Sequence, residues 1–305
     1  MEREFVDWLR RRLPSHPLLR LGLGDDAAVL SLAEKTYCVV TVDLLSDGVD
    51  FDLKEVGPQR IGRKCLAVNL SDLAAMAAEP LAGVVALCLP KTEAFELAVA
   101  LYEGLLPLAE KYRVVIAGGD TNTWDGRLVV SITLLGLVGP RGPLCRRGAL
   151  PSDRILVTGA FGGSLLGHHL DFEPRVKEAL LLQKEYRLHA GIDVSDSLSL
   201  DLWRVMSESG CGAIIDAAAV PIAPAAHRLA AARGDNVSAL DHALTDGEDF
   251  ELLLAVPKDE ARRLLAAQPL SIPVTDIGEF ISEPGLWLRE ADGTRRALSP
   301  CGWEY

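Results

Sequence analysis

The sequence is poor in aromatic residues and has an excess of acid over base. It has no paired cysteine motif and no apolar run of membrane-spanning length. Aromatics make up 6% of residues although 49% are hydrophobic, so the apolar content is mostly Ala, Leu and Val, as in an α/β protein. The formal charge of −12 and pI near 5.0 argue against general nucleic-acid or anionic-membrane binding, which needs a basic surface. A phosphorylated substrate remains compatible if cations mediate the contact. The cysteines at 38, 65, 88, 145, 211 and 301 form no CxxC or Cys/His metal spacing, and are expected to be reduced core thiols of a cytoplasmic protein. The start, Met1-Glu-Arg-Glu-Phe5, lacks the basic and apolar regions of a signal peptide. There is no fixed-period repeat, no low-complexity tract and no P-loop. Gly22-Leu-Gly24 is too short for a dinucleotide fingerprint.

With 305 residues, the chain can form two full cores. Gly139-Pro-Arg-Gly-Pro143 is the best boundary, giving expected domains 1–139 and 140–305. Helices are expected over 2–13 (apolar face Phe5, Trp8, Leu9, Leu13), over 92–111 and, in the second half, over 165–170, 175–189, 198–209, 224–233 and 258–267. Strands are expected over 37–42, 84–89, 127–138, 154–158, 213–216 and 252–256, and near Val274 and Leu286. Another, Val114 to Thr121, reads as a buried strand breaking at Gly118-Gly-Asp120. Gly159-Ala-Phe-Gly-Gly-Ser164 can hold an anion but reads more readily as a packing turn.

The most informative stretch is Cys65-Leu-Ala-Val-Asn-Leu-Ser-Asp-Leu-Ala-Ala-Met76. Leu66, Leu70, Leu73 and Ala77 share one helical face, within a helix expected from near Glu55–Pro58 to near Glu79-Pro80. Asp72 lies in this apolar helix, where a carboxylate needs a partner: a backbone N–H, an Arg or a metal ion. Asp25, Asp26, Asp43, Asp120, Asp193 and Asp196 similarly lie at Gly-rich turns or strand ends. Each alone is ordinary loop chemistry. As a set without a P-loop, they point to a nucleotide site built on Mg²⁺, which takes a few carboxylates and completes its shell with water and phosphate oxygens.

Gly22-Leu-Gly-Asp-Asp-Ala-Ala28, Lys64 to Met76, Gly118-Gly-Asp-Thr121, Ile192-Asp-Val-Ser-Asp196 and Gly247-Glu-Asp-Phe-Glu-Leu252 occur in the order seen in the thiamine-monophosphate kinases. The chain resembles that family nearly end to end. The family belongs with aminoimidazole ribonucleotide synthase, selenophosphate synthetase and HypE. The resemblance implies a two-domain PurM-like α/β (α+β) fold. Its N-terminal mixed sheet would pair across a homodimer and a C-terminal α/β domain would follow. It also implies transfer of the ATP γ-phosphate to thiamine monophosphate with several Mg²⁺, without nucleic-acid or membrane partners. Position by position it implies metal ligands at Asp26, Asp43, Asp72, Asp120, Asp193 and Asp196, with Thr41 and Val42 assisting. Asp43, Asp72 and Asp120 would be catalytic, Gly119, Asp120, Arg146 and Ser195 would contact ATP, and Asp50, Glu248 and Trp303 would face the thiamine substrate.

The chain departs from the family pattern mainly on the acceptor side. Asp50 stands where the family usually has His, Ser197 and Asp246 where it has Gly, and Trp303-Glu-Tyr305 where it has a His-Phe pair. Two other readings follow: a synthetase of the same superfamily with a different small acceptor, and a non-catalytic nucleotide-binding relative.

Overall fold

Period-two burial runs through the first half of the chain. In β6 (Val129–Val138), Val130, Ile132 and Leu134 are buried and their neighbours partly exposed, the mark of a sheet covered on one face. β6 joins β1 (Leu19–Leu21), β2 (Ala28–Ala33), β3 (Thr36–Ser46), β4 (Ala78–Pro90) and β5 (Val115–Trp124) in the order β1-β2-β3-β6-β4-β5. Among the described residues of this sheet, only β4 and β5 pair in parallel. The computed structural model describes residues 17–21, 25–33, 36–233 and 237–303. The expected helix over 2–13, the Gly22-Leu-Gly24 loop and Glu304-Tyr305 lie outside the described residues.

The central helix, Pro58–Ala75, starts with Pro at its first position, where the missing N–H costs nothing. It ends earlier than the apolar periodicity suggests. Ala77 takes a left-handed φ of 49° that turns the chain, so Glu79 and Pro80 belong to β4. Gly62 and Gly104 allow the helix Ala94–Tyr112 to pack at backbone contact: a Cβ on Gly62 would lie 1.9 Å from the Leu101 carbonyl oxygen. Both helices cover one face of the sheet, and Val42, Leu44 and Val84 remain exposed on the other.

The second half forms a sheet of β7 (Arg154–Thr158), β8 (Ala190–Asp193), β9 (Gly212–Asp216), β10 (Leu252–Val256), β11 (Val274–Ile281), β12 (Leu286–Arg289) and β13 (Arg295–Ala297), ordered β13-β12-β9-β11-β7-β10-β8. The central helix packs on β3 and β6 to one side and on β8 and the helix Val176–Glu185 to the other, so one apolar core spans both halves. A second core lies between the C-terminal sheet and the helices Leu198–Ser209 and Ala239–Thr245.

Several elements differ from expectation. β3 continues through Asp43 to Ser46. β5 is an exposed edge strand that runs through Gly118-Gly-Asp120; among the described residues it pairs with β4 alone. The segment 165–170 is split at Gly167 (φ 123°) into the turns Ser164–Leu166 and His168–Asp171. The helix Ala239–Thr245 was not expected, yet its Ser238/Asp241 capping box is visible in the sequence. All six cysteines are free, but only Cys38 and Cys65 are fully buried. Among the described residues, no helix is long and apolar enough to cross a membrane.

Candidate active site

Three carboxylates from three elements meet between the two sheets. Asp26 comes from the turn before β2, Asp72 from the last turn of the central helix and Asp193 from the end of β8. Each offers an oxygen within 4.8 Å of the others. The central helix is buried around nearly its whole circumference, and this holds Asp72 in place. Thr41 Oγ1 donates to Asp72, and Ser71 Oγ donates to Asp193 Oδ2 at 2.5 Å. Asp43 lies on the same face of β3 as Thr41, and its Oδ2 is buried without a hydrogen-bond partner among the described residues, as is Oδ2 of Asp26.

The cluster has more negative charge than local cations balance. Burial, then Asp43, Asp193 and Asp26, pushes Asp72 well above the usual carboxylate range. Burial and then Asp26 does the same to Asp193. Burial, with Asp50 and Asp196 behind it, pushes Asp43 up to about 7. Orphaned carboxylate oxygens and mutually repelling acids together suit hard divalent cations, so the donor set fits Mg²⁺.

Two arginines border the cluster. Arg146 Nε donates to Asp26 Oδ1 at 3.2 Å, and its backbone N–H reaches both Asp25 oxygens at 3.2 Å. Arg204 pairs with Asp196 and with the fully buried Asp201. Asp201 also accepts from the backbone N–H of Asp196 (3.0 Å) and Ser197 (3.1 Å), which fixes the loop carrying Ser195 and Asp196. Asp201 and Arg204 were missed in the sequence. Their i,i+3 spacing just after Asp196 was the available signal.

Beside Asp43 lies a second group. Lys64 Nζ donates to the Asp50 carbonyl oxygen (2.9 Å) and to Glu248 Oε1 (2.7 Å). Asp50 Oδ2 accepts the Ser46 N–H at 2.7 Å, so its carboxylate closes its own loop. The Glu248 N–H donates to the Ser195 carbonyl oxygen at 2.6 Å, and Trp303 N–H to that of Asp196 at 3.2 Å. Trp303 remains 45% exposed. The Gly-rich turn does hold acidic side chains, but they belong to the chain itself: Gly162 N–H donates to Asp249 at 3.0 Å and Gly163 N–H to Asp246 at 2.8 Å.

Three expected site residues are placed away from the cluster in this chain, wholly or in their side chain. The Val42 side chain is 61% exposed on the opposite face of β3, leaving only its backbone beside Asp43. Register carries Asp43 through Ile132 and Val85 to Gly119, three strand spacings or roughly 14 Å away. Asp120 pairs with Ala86, whose neighbours Val85 and Leu87 are buried under the helices, so Asp120 projects from the uncovered face.

The chain matches the AIR synthase related protein N-terminal domain over residues 24–138 and the corresponding C-terminal domain over 151–289. It is 43% identical to the thiamine-monophosphate kinase of Rhodopirellula baltica, over 100% of this chain and 97% of that one. A solved thiamine-monophosphate kinase of Stenotrophomonas maltophilia K279a superposes with a TM-score of 0.74 at 34% identity, covering 94% of this chain and 95% of the other. The fold is also that of AaThiL in its complex with AMPPCP and TMP: TM-score 0.85, 24% identity, covering 99% and 96% of the two chains.

Proposed function

The chain belongs to the thiamine-monophosphate kinase family, and from that premise we propose that it transfers the γ-phosphate of ATP to the phosphate of thiamine monophosphate, giving thiamine diphosphate. The observation that carries the reading is the convergence of Asp26, Asp72 and Asp193 from both halves of the chain in a protein without a P-loop. Asp26, Asp43, Asp72 and Asp193 would hold Mg²⁺, with Asp196 as a further ligand, and Thr41 orients Asp72. Bound there, Mg²⁺ supplies the positive charge that neutralises polyphosphate and keeps the attacking and leaving oxygens in line. Arg146 borders the cluster, and Arg146 and Ser195 would contact ATP. Arg146 is half-buried and ready to exchange Asp26 for phosphate oxygens, which its planar fork suits. Asp50, Glu248 and Trp303 would face the thiamine moiety.

Gly119 and Asp120 enter this reading through a homodimer. The exposed apolar face carrying Val42, Leu44 and Val84, together with the uncovered edge β5, is a surface that a second copy would cover. Asp120 would then serve a site assembled at that interface. We also propose a division into domains at residues 139 and 140, supported by six strands before it in one sheet and seven after it in another. A cytoplasmic location fits a biosynthetic kinase with free thiols.

The test is an assay of the purified protein with Mg-ATP and thiamine monophosphate, following thiamine diphosphate and ADP in equal amounts. Thiamine and other small phosphates serve as competing acceptors. ADP release without thiamine diphosphate would move the protein to a different acceptor.

A further inference from the structure

We infer that Lys64 is a positioning residue for the acceptor: it sets the loop of Asp50 and the side chain of Glu248 in register across the two halves of the chain. The inference rests on the proposed function, which places Asp50 and Glu248 at the thiamine end of the site. Lys64 lies in the central helix and its side chain is 0% exposed, so a lysine here must have firm partners. Its two contacts lie far apart in sequence. One is the carbonyl oxygen of Asp50 at 2.9 Å, on the loop after β3; the other is Glu248 Oε1 at 2.7 Å, on the loop before β10.

Lys64 joins the two loops directly, and Glu248 is fixed from several further sides. Its backbone takes a left-handed φ of 55°, unusual outside glycine. Its N–H donates to the Ser195 carbonyl oxygen at 2.6 Å, and its carbonyl oxygen accepts from Ser164 Oγ at 2.5 Å. The backbone of Glu248 is thus held by the second half alone, while its carboxylate is aimed by Lys64 of the first. The Glu248 side chain retains 22% exposure, so without Lys64 it can swing to water rather than remain buried and unpaired. Loss of Lys64 therefore changes where the carboxylate points more than whether the chain folds. A group that binds acceptor equally in ground and transition states affects KM and leaves kcat.

The experiment uses the full-length protein with Lys64→Met, which keeps the chain length and fills the buried space. KM for thiamine monophosphate should rise about tenfold or more, with KM for ATP and kcat within about twofold. Adding Glu248→Gln should produce little further change, since the carboxylate is no longer aimed. A lowered Tm with an unchanged KM for thiamine monophosphate would overturn the inference, as would KM values for both substrates rising together. If Lys64→Met does not fold, the double variant, which leaves no unpaired charge, carries the same KM test. Failure of both to fold would assign Lys64 to the core alone and also overturn the inference. A wild type active on thiamine monophosphate but indifferent to Lys64 refutes only this inference. A wild type inactive on that acceptor refutes the function itself.

Discussion

The acid cluster and the neighbouring Lys64 group both contain acids raised by burial, but only the second has a lysine among them. Around Asp72, oxygens of Asp26 and Asp43 are left without partners and the acids raise one another's pKa. Around Lys64, Glu248 has an ammonium at 2.7 Å and Asp50 a backbone N–H at 2.7 Å. An unbalanced group is stable only if something brings the missing charge, whereas a balanced group has already taken its working shape. Under the proposed function, the first group is where cations and phosphate would arrive, and the second is where a largely preformed surface would meet the acceptor.

The largest expected effect comes from removing a charge from the unbalanced side. Asp72→Asn or Asp193→Asn should lower kcat by about 10²–10³-fold, a few kcal/mol of transition-state stabilisation. Thermal unfolding of the cation-free protein at pH 8 should change little or rise, because the substitution relieves repulsion. A large Tm loss with retained turnover would reverse the roles assigned to these acids.

Next in size is the effect of pH on protein stripped with EDTA. Asp25, Asp43 and Asp201 each titrate near 7 in the fold, raised by burial and then by neighbouring acids. Their folded pKa lies above the unfolded value near 4, so their contribution is fully present below that value and is lost as pH rises through about 7. The stripped protein should therefore melt several degrees lower at pH 8 than at pH 5.5, and Mg²⁺ should restore most of the loss at pH 8. An equal Tm at the two pH values would contradict the charge imbalance.

Arg146→Ala should raise KM for ATP about tenfold and KM for thiamine monophosphate less than threefold, measured by steady-state kinetics, since a buried charge-assisted contact is worth 1–3 kcal/mol. The smallest effect belongs to the balanced side. Asp50→Asn retains an oxygen for the Ser46 N–H and should keep Tm near wild type, with KM for thiamine monophosphate rising less than about threefold. Asp50→His, the residue usual in the family, loses this loop closure and should cost about 1 kcal/mol by denaturant titration while keeping measurable kinase activity.

In the second half, the strands Arg154–Thr158 and Leu252–Val256 and the helices Leu198–Ser209, Pro224–Arg233 and Lys258–Ala267 could be read residue by residue, whereas the short helices and β13 could not. The cluster residues Asp26, Asp72 and Asp193 were recognisable as acids in unusual places, although nothing local showed that they meet. Lys64 was invisible as a functional group, because its partners lie 14 and 184 residues away. β5 was misread because four apolar residues look the same in a central strand and an edge strand; strand order decides. The same order separates Asp120 from the cluster within this chain.

The most direct test is Mn²⁺ titration of EDTA-stripped protein, followed by electron paramagnetic resonance with a non-hydrolysable ATP analogue present. The cluster reading predicts saturable Mn²⁺ uptake by wild type that weakens at least about tenfold in Asp72→Asn and in Asp193→Asn. Uptake of equal strength in wild type and both variants would contradict it.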